Sequence, residues 1–312
     1  MKRRNFIKTV AASASVAAFY RNASGSEETF PGNASYSSKS LLNKSSLPGK
    51  TKISLNAYSF NKPLLSGEMT VPDMLEYAAH TGFEGADLTG YYFPGYPVVP
   101  SDEYIYGIKR KAFSLGLEIC GTGIRNDLSK VNSSERVEEK KRIKEWTVVA
   151  SKLGAQTLRI FAGNNVPDGY TWDQAAAWIS EDIKECARYA GEHGVVLALQ
   201  NHNDFLKTAD EVEKLLKMID SQWVGLMLDI GCYRTNPFAE IEQTIKHAVT
   251  WQVKEEMYIN DKVVKTDIGK LKTIISNSGY RGYLPIETLG EGDPKQKVAR
   301  MFSEVKKHFQ NE

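Results

Sequence analysis

Short apolar runs alternate with longer amphipathic segments along residues 51–312, and this pair of patterns occurs eight times. Each short run holds about four to six apolar or β-branched residues and ends in a polar cluster, as is typical of a strand buried on both faces. The segments between the runs have helical periodicity, clearest over residues 71–82, 134–154, 173–194 and 209–220. The eight predicted strands are KISLNAYSF, EGADLTG, LEICGTGI, TLRIFAG, VVLALQNH, VGLMLDIG, VTWQVKEE and YLPIETLG.

Glycines mark the ends of several helical segments. A helix C-terminus prefers glycine, and five glycines fall just before predicted strands: Gly82, Gly116, Gly154, Gly194 and Gly279. Parallel strands need helical crossovers, and eight strand-helix units close into a barrel with a packed interior. The sequence therefore predicts the α/β class and a (β/α)8 TIM barrel over residues 51–312. The alternative, an open doubly wound sheet, usually has a glycine-rich phosphate turn after its first strand, where this chain reads NAYSFNKP.

The N-terminal segment differs from the repeat. Residues 1–24 begin with basic residues, including Arg3 and Arg4, and continue with an apolar run rich in Ala, Ser and Val. This resembles a twin-arginine export signal, and the apolar run is shorter than the about 20 residues that span a bilayer. We therefore expect an exported, periplasmic protein without a membrane span; a basic disordered tail is the alternative. Residues 25–50 are rich in Ser and Asn and are predicted to form a linker.

Composition and charge narrow the function classes. The formal net charge is +2, without long blocks of one sign, so nothing favours a nucleic-acid partner. Cys120, Cys186 and Cys232 lack the CxxC spacing of a zinc knuckle and allow at most one disulfide.

Polar residues concentrate where the predicted strands of the second half end. Barrel enzymes carry their chemistry on the loops after the strands, so these side chains are the candidates for catalysis and ligand binding. They are Gln200, Asn201 and His202 after the fifth strand, Asp229 after the sixth, Gln252, Lys254 and Glu255 in the seventh, and Glu287 in the eighth.

This pattern resembles the sugar isomerase and epimerase group of the xylose-isomerase-like barrels. In that group strand five reads Glu-Asn-His, strand six ends in Asp, strand seven reads His-x-Lys-Asp and strand eight ends in Glu. The resemblance implies that the first Glu, the Asp, the His of strand seven and the last Glu bind one divalent metal. The matching residues here are Gln200, Asp229, Gln252 and Glu287. Because oxygen ligands suit hard cations, we expect Mn, Mg or Ca rather than zinc; a hydrogen-bonded polar ring without metal is the alternative.

The glutamine at position 200 bears on the mechanism. The resemblance implies epimerisation by two carboxylates, one from strand five and one from strand eight, and Gln200 cannot exchange a proton in this way. We therefore expect Glu287 to be the base, with His202, Lys254 or Glu255 as the acid. Lys254 is also a candidate to fix a substrate oxygen or to pair with Glu255. The expected reaction is proton abstraction next to the carbonyl of a non-phosphorylated sugar or keto-sugar, by isomerisation or by β-elimination from a keto-glycoside.

The first half of the chain is expected to bind the substrate. Aromatic rings pack on the apolar faces of sugars, and the loop LTGYYFPGYP after the second strand is rich in them. Aromatic filling beneath a long loop is the alternative. The predicted substrate-binding residues are Asn56, Tyr58, Asp87, Tyr91, Asn126, Arg159 and, from the second half, Asn201.

Two other functions are alternatives on the same fold. Endonuclease IV, which shares the resemblance, holds three zinc ions with many histidines, whereas this chain has five histidines and only His202 at a strand tip. A carbohydrate-binding barrel that has lost catalysis is the second alternative, favoured if Asp229, Glu287 and His202 diverge.

Overall fold

The computed structural model describes residues 51–310, which form a closed parallel barrel. The barrel strands lie in the order β1-β10-β7-β6-β5-β4-β3-β2, and each crossover between them contains a helix. The predicted (β/α)8 TIM barrel is therefore confirmed. The strands are β1 Lys52–Asn56, β2 Gly85–Thr89, β3 Glu118–Gly123, β4 Thr157–Ile160, β5 Val196–Gln200, β6 Val224–Asp229, β7 Ala248–Lys254, β8 Glu256–Ile259, β9 Lys262–Lys265 and β10 Tyr283–Glu287.

Local sequence signals begin and end the helices that surround the barrel. Thr70, Thr171 and Thr208 each close a capping box with the residue three positions later, which satisfies two backbone N–H groups. The five glycines predicted before strands all have positive φ. The helices are α1 Asn61–Ser66, α2 Val71–Thr81, α3 Asp102–Ser114, α4 Ser133–Leu153, α5 Trp172–Glu192, α6 Ala209–Ile219, α7 Pro237–Thr244, α8 Ile268–Ser278 and α9 Pro294–Phe309.

The hydrophobic core fills the barrel and the layer between its strands and helices. β2 is buried over its whole length, and β5 and β6 are buried except at their first residues. Trp146 on α4 and Trp251 on β7 are the largest fully buried side chains. Burial on both faces explains why these strands read as continuous apolar runs rather than as alternating ones.

A two-stranded hairpin, β8–β9, follows β7 and was not predicted, because VTWQVKEE was interpreted as one strand. Its turn is Asn260-Asp261, and both residues have positive φ, as a two-residue hairpin turn of the primed type requires. The turn's two backbone N–H groups donate to the carbonyls of Thr235 and Arg234 in the loop after β6. The hairpin is thereby held beside the carboxyl ends of β6 and β7.

The N-terminal predictions lie outside the described residues. These are the export signal over residues 1–24 and the linker over residues 25–50, and both stay predictions. The three cysteines at positions 120, 186 and 232 are buried and free. Within residues 51–310, no helix has the length and apolar character needed to cross a membrane.

Candidate functional site

The ammonium group of Lys254 lies between two buried carboxylates at the carboxyl ends of the barrel strands. Its Nζ is 2.8 Å from Oδ2 of Asp229 and 3.3 Å from Oε1 of Glu287. The strand order explains this position, because β7 lies between β6, which ends in Asp229, and β10, which ends in Glu287. Glu287 is the register partner of Lys254 itself. The lysine therefore joins the acids of the two neighbouring strands.

Gln200 connects the same cluster on the opposite side of Asp229. Its side-chain amide nitrogen Nε2 donates to Oδ2 of Asp229 at 2.8 Å and to Oε1 of Gln252 at 2.7 Å. The backbone N–H of Gly231 donates to the other oxygen of Asp229 at 2.9 Å. The four positions that match the metal ligands of the resemblance are thus joined through Lys254 into one network. We call Gln200, Asp229, Gln252, Lys254 and Glu287 the strand-end ring.

The strand-end ring is almost sealed from solvent. Asp229 is fully buried, the Glu287 side chain is 5% exposed and the Lys254 side chain is 13% exposed. Burial alone would lower the pKa of Lys254, but the two carboxylates outweigh it and hold that pKa well above its usual value. Burial raises the pKa of Glu287, and the charge of Lys254 opposes this shift. The ring is therefore a buried, mutually compensating set of charges.

Gly231 makes room for the lysine. A methyl group at this position would lie 2.6 Å from Cδ of Lys254, which is closer than carbon atoms approach without displacement. Glycine at position 231 therefore leaves the space that the Lys254 side chain occupies beside the two acids. Gly231 was not among the predicted site residues, although a glycine two residues beyond the end of a strand is a signal in the sequence.

The carboxyl ends of the barrel strands form the rim of the barrel, and its first half holds a third buried acid, Asp87. Asn56 and Asp87 are register partners on β1 and β2, and Nδ2 of Asn56 donates to Oδ2 of Asp87 at 3.1 Å. Burial raises the pKa of Asp87 to about 6, with Arg159 lowering it and Glu287 raising it. Oδ1 of Asn56 accepts from the backbone N–H of Tyr58, whose side chain is half-buried.

Arg159 lies between aromatic rings on the same side of the rim. Its guanidinium carbon is 5.3 Å from the ring centre of Tyr91 and 4.5 Å from that of Phe161. Nη1 donates to the Tyr91 hydroxyl at 2.8 Å and to the carbonyl of Ile124 at 2.6 Å. A Cβ at Gly123 would lie 2.8 Å from Nε of Arg159, so glycine is needed beside it. The structure thus brings together Tyr91, Phe161 and the cation of Arg159.

Two predicted substrate-binding asparagines bond to the backbone. The side chain of Asn126 donates to the carbonyl of Phe161 at 2.7 Å and accepts from its N–H at 2.9 Å. Asn201 makes the same reciprocal pair with the backbone of Asp229, at 3.0 and 2.8 Å. Both side chains are buried, and their hydrogen bonds fix the backbone of Phe161 and Asp229 at the carboxyl ends of the strands. A direct contact with substrate stays a prediction for each.

His202 and Glu255 lie outside the strand-end ring. His202 is 42% exposed, its Nδ1 is 2.9 Å from Oδ2 of Asp204, and its ring lies edge-on to Phe161. The predicted pairing of Lys254 with Glu255 was wrong, since Glu255 pairs with Lys297 at 3.1 Å. Glu255 follows the last residue of β7 and is not part of the strand that carries Lys254. Glu255 lines a polar cavity of about 600 Å³ between the hairpin and α9.

The predicted Mn, Mg or Ca ion stays a prediction, and the residues that would hold it fit such an ion poorly. Among residues 51–310, no three His, Cys, Asp or Glu side chains are grouped closely enough to hold a metal. Asp229 and Glu287 are the two acids available, and the Lys254 ammonium already pairs with both. Hard divalent cations need several oxygen ligands directed at one point, whereas Gln200 directs N–H groups at Asp229 and Gln252.

Comparison with protein families identifies the fold's relatives. The family model described as xylose isomerase-like TIM barrel matches residues 75–307. A comparison with curated proteins found no match.

Solved structures with the same fold are numerous, and three illustrate the range. The 3-keto-D-glucoside 4-epimerase from E. coli has a TM-score of 0.68 and 14% identity, covering 83% of this chain and 100% of its own. The D-psicose 3-epimerase from Clostridium cellulolyticum H10, solved with D-tagatose, has a TM-score of 0.67 and 15% identity, covering 83% and 99%. The probable 3-DHS dehydratase from Bacillus anthracis has a TM-score of 0.64 and 16% identity, covering 82% and 98%. At these identities the likeness shows the shared fold.

Proposed function

Since the chain belongs to the xylose isomerase-like TIM barrel family, we propose that it is a sugar isomerase or epimerase-like enzyme that removes a proton next to a carbonyl. The proposed substrate is a non-phosphorylated sugar or keto-sugar. Structural relatives named as a keto-glucoside epimerase, a psicose epimerase and a dehydratase support this reaction class, because all three names imply chemistry next to a carbonyl.

The observation that carries the proposal is the pairing of Glu287 with Lys254 at the carboxyl ends of the strands. Proton abstraction next to a carbonyl needs a base for the carbon-bound proton and a positive group for the oxygen that becomes negative. Glu287 and Lys254 supply one of each, 3.3 Å apart, in surroundings from which water is largely excluded. Charges act more strongly in such surroundings than in water.

In the proposed step, Glu287 removes the proton and Lys254 stabilises the enolate that forms. A carboxylate oxygen of Glu287 takes the proton, and the electron pair of the broken C–H bond forms a C=C bond to the carbonyl carbon. The carbonyl π electrons move to oxygen, and the N–H of Lys254 donates a hydrogen bond to the resulting enolate. Return of a proton to the same carbon on the original face gives exchange with solvent, and return on the opposite face gives epimerisation. Isomerisation also requires that the enolate oxygen is protonated and that the hydroxyl on the deprotonated carbon loses its proton to become the new carbonyl, while the former carbonyl carbon takes up the proton.

β-Elimination from a keto-glycoside is the second candidate, and Gln200 favours it. Epimerisation by two opposed bases needs a second carboxylate, and the residue at that position of the ring is an amide. Elimination needs one base: the enolate electrons expel the group on the next carbon, which leaves with its bonding electrons and is then protonated. The same Glu287 begins both reactions, so the product distinguishes them.

We propose that Arg159, Tyr91 and Phe161 form the wall that receives the sugar. The guanidinium carbon of Arg159 lies 5.3 Å from the centre of the Tyr91 ring and 4.5 Å from that of the Phe161 ring, at the carboxyl end of β4. Aromatic and guanidinium planes pack on the apolar face of a sugar ring, while the N–H groups bind hydroxyls.

The test is solvent hydrogen exchange measured by NMR with 3-keto-D-glucose and its methyl glycoside in D₂O. We expect the parent to exchange the proton next to the carbonyl, and Glu287→Gln to lose at least about a hundredfold in rate, as for removal of a general base. The matched control is Glu304→Gln, which changes an acid of the side cavity that pairs with Lys265 and should retain the parent rate. Equal rates in the parent and Glu287→Gln would reject Glu287 as the base. Release of methanol would identify the elimination.

A further inference from the structure

We propose that the ammonium group of Lys254 is the resident cation of the strand-end ring and serves where the resemblance implies a divalent metal. The part of this inference that concerns catalysis rests on the proposed function, whereas the part that concerns binding does not. Three independent features of the ring support it: the position of the ammonium, the balance of charge and the chemistry of Gln200.

The position of the ammonium leaves little room for a metal. A divalent cation held by Asp229 and Glu287 would lie about 2.0 to 2.6 Å from an oxygen of each. Nζ of Lys254 contacts both acids, at 2.8 and 3.3 Å, and therefore lies in the region such an ion would need. A metal could enter only if the lysine side chain left, and Gly231 packs against that side chain at its Cδ.

The balance of charge in the ring also disfavours a divalent metal. Asp229 and Glu287 together carry two negative charges when ionised, and Lys254 supplies one positive charge in direct contact. Adding a divalent ion would leave an uncompensated positive charge in a nearly sealed site, where solvation is weak and such a charge is costly.

Gln200 explains why the ring holds together without a metal. Its Nε2 lies 2.8 Å from Oδ2 of Asp229 and donates a hydrogen bond there. A carboxylate at position 200 would place two negative oxygens at this distance, and they would repel unless a cation lay between them. The amide replaces this repulsion by attraction and uses its second N–H on Gln252 at 2.7 Å. The glutamine and the bridging lysine are therefore two parts of one arrangement.

A covalently attached cation has a functional consequence. The lysine cannot be removed by a chelator, and its N–H groups remain available to a substrate oxygen. The enzyme is then independent of metal supply. The expected activity after EDTA treatment and gel filtration equals that before it.

The experiment measures Mn²⁺ binding by electron paramagnetic resonance, which reports the free ion and needs no activity. Four proteins are compared: the parent, Gln200→Glu/Gln252→His, Lys254→Met and the control Lys297→Met, whose lysine pairs with Glu255 outside the ring. We expect no binding to the parent or the control at millimolar Mn²⁺. The double variant supplies a carboxylate and an imidazole that displace the ammonium, so its dissociation constant for Mn²⁺ should lie at least about tenfold below that millimolar limit. Lys254→Met, if it folds, should also bind below this limit, because two acids lose their partner.

Hydrogen exchange of 3-keto-D-glucose, before and after EDTA, separates this inference from the proposed function. Stoichiometric Mn²⁺ in the parent that Asp229→Asn abolishes would overturn the inference. Exchange that requires added Mn²⁺ would also overturn it and leave the proposed function standing. A parent that binds no Mn²⁺ and exchanges no proton of any keto-sugar tested, with or without the ion, would reject the proposed function while the assignment of Lys254 holds.

Discussion

Asp87 and Asp229 are both buried carboxylates at the carboxyl ends of strands in the same barrel, yet their surroundings differ. Asp229 accepts hydrogen bonds from Lys254, Gln200 and the backbone of Gly231. Asp87 accepts one from the neutral amide of Asn56, and its nearest positive group, Arg159, bonds to Tyr91 and to a backbone carbonyl instead.

The two halves of the rim therefore differ in the groups that surround their buried acids. In the second half, the ammonium of Lys254, the amide of Gln200 and the backbone N–H of Gly231 compensate the negative charge of the buried acids. In the first half, burial raises the pKa of Asp87 to about 6, so that its ionisation is disfavoured. The second half thus pairs its acids with a cation, whereas the first half leaves its acid hydrogen-bonded to a neutral amide.

The largest expected effect comes from neutralising each aspartate in turn. Asp229→Asn leaves Lys254 with one acid and turns one of two acceptor oxygens into an N–H group that faces existing donors, so we expect a loss of about 3 to 5 kcal/mol in the free energy of unfolding. Asp87→Asn, the matched change in the first half, should unfold no earlier than the parent at pH 7. Urea unfolding followed by tryptophan fluorescence measures both. Similar losses for the two variants would remove the distinction between the halves.

The next largest expected effect is the pH dependence of the unfolding free energy that is caused by Asp87. Its folded pKa of about 6 lies above the unfolded value of 3.8, so its contribution to stability is fully present below pH 3.8 and is lost as the pH rises through 6. The parent should therefore lose up to about 3 kcal/mol relative to Asp87→Asn between pH 4 and pH 7, at 1.36 kcal/mol for each unit. Urea unfolding of both proteins across this range tests the difference. A constant difference would mean that Asp87 keeps one charge state throughout.

The smallest effect tests the contact between Arg159 and Tyr91 in the first half. Tyr91→Phe removes the hydroxyl that accepts from Arg159 at 2.8 Å, and a hydrogen bond to a charged group is expected to contribute about 1.5 kcal/mol. The control is Tyr92→Phe in the same loop, which removes a neutral hydrogen bond to Asn61 and should cost no more than about 1 kcal/mol. Thermal unfolding at one pH compares the two. An equal or smaller cost for Tyr91→Phe would show that the guanidinium group does not need this acceptor.

The sequence predicted the barrel well because its signals are local and repeated. Strands buried on both faces read as short apolar runs, and helix ends carry caps such as Thr70 and Gly82 that act within one turn. The β8–β9 hairpin was missed because it is short and because Asn260-Asp261 is a less usual turn pair than Asn-Gly. Its position beside the rim depends on bonds to Arg234 and Thr235, which are distant in sequence.

The sequence by itself determined the fold class, the strands and the set of polar residues at their ends, because these follow from periodicity and from the direction of a parallel sheet. Only the tertiary structure decided how those residues pair. Lys254 bonds to Asp229 and Glu287 rather than to its neighbour Glu255, and Asn126 and Asn201 bond to the backbone. The physical reason is that closing the barrel brings carboxylates of two other strands, β6 and β10, within 3.3 Å of the ammonium group on β7, and no local pattern encodes that distance.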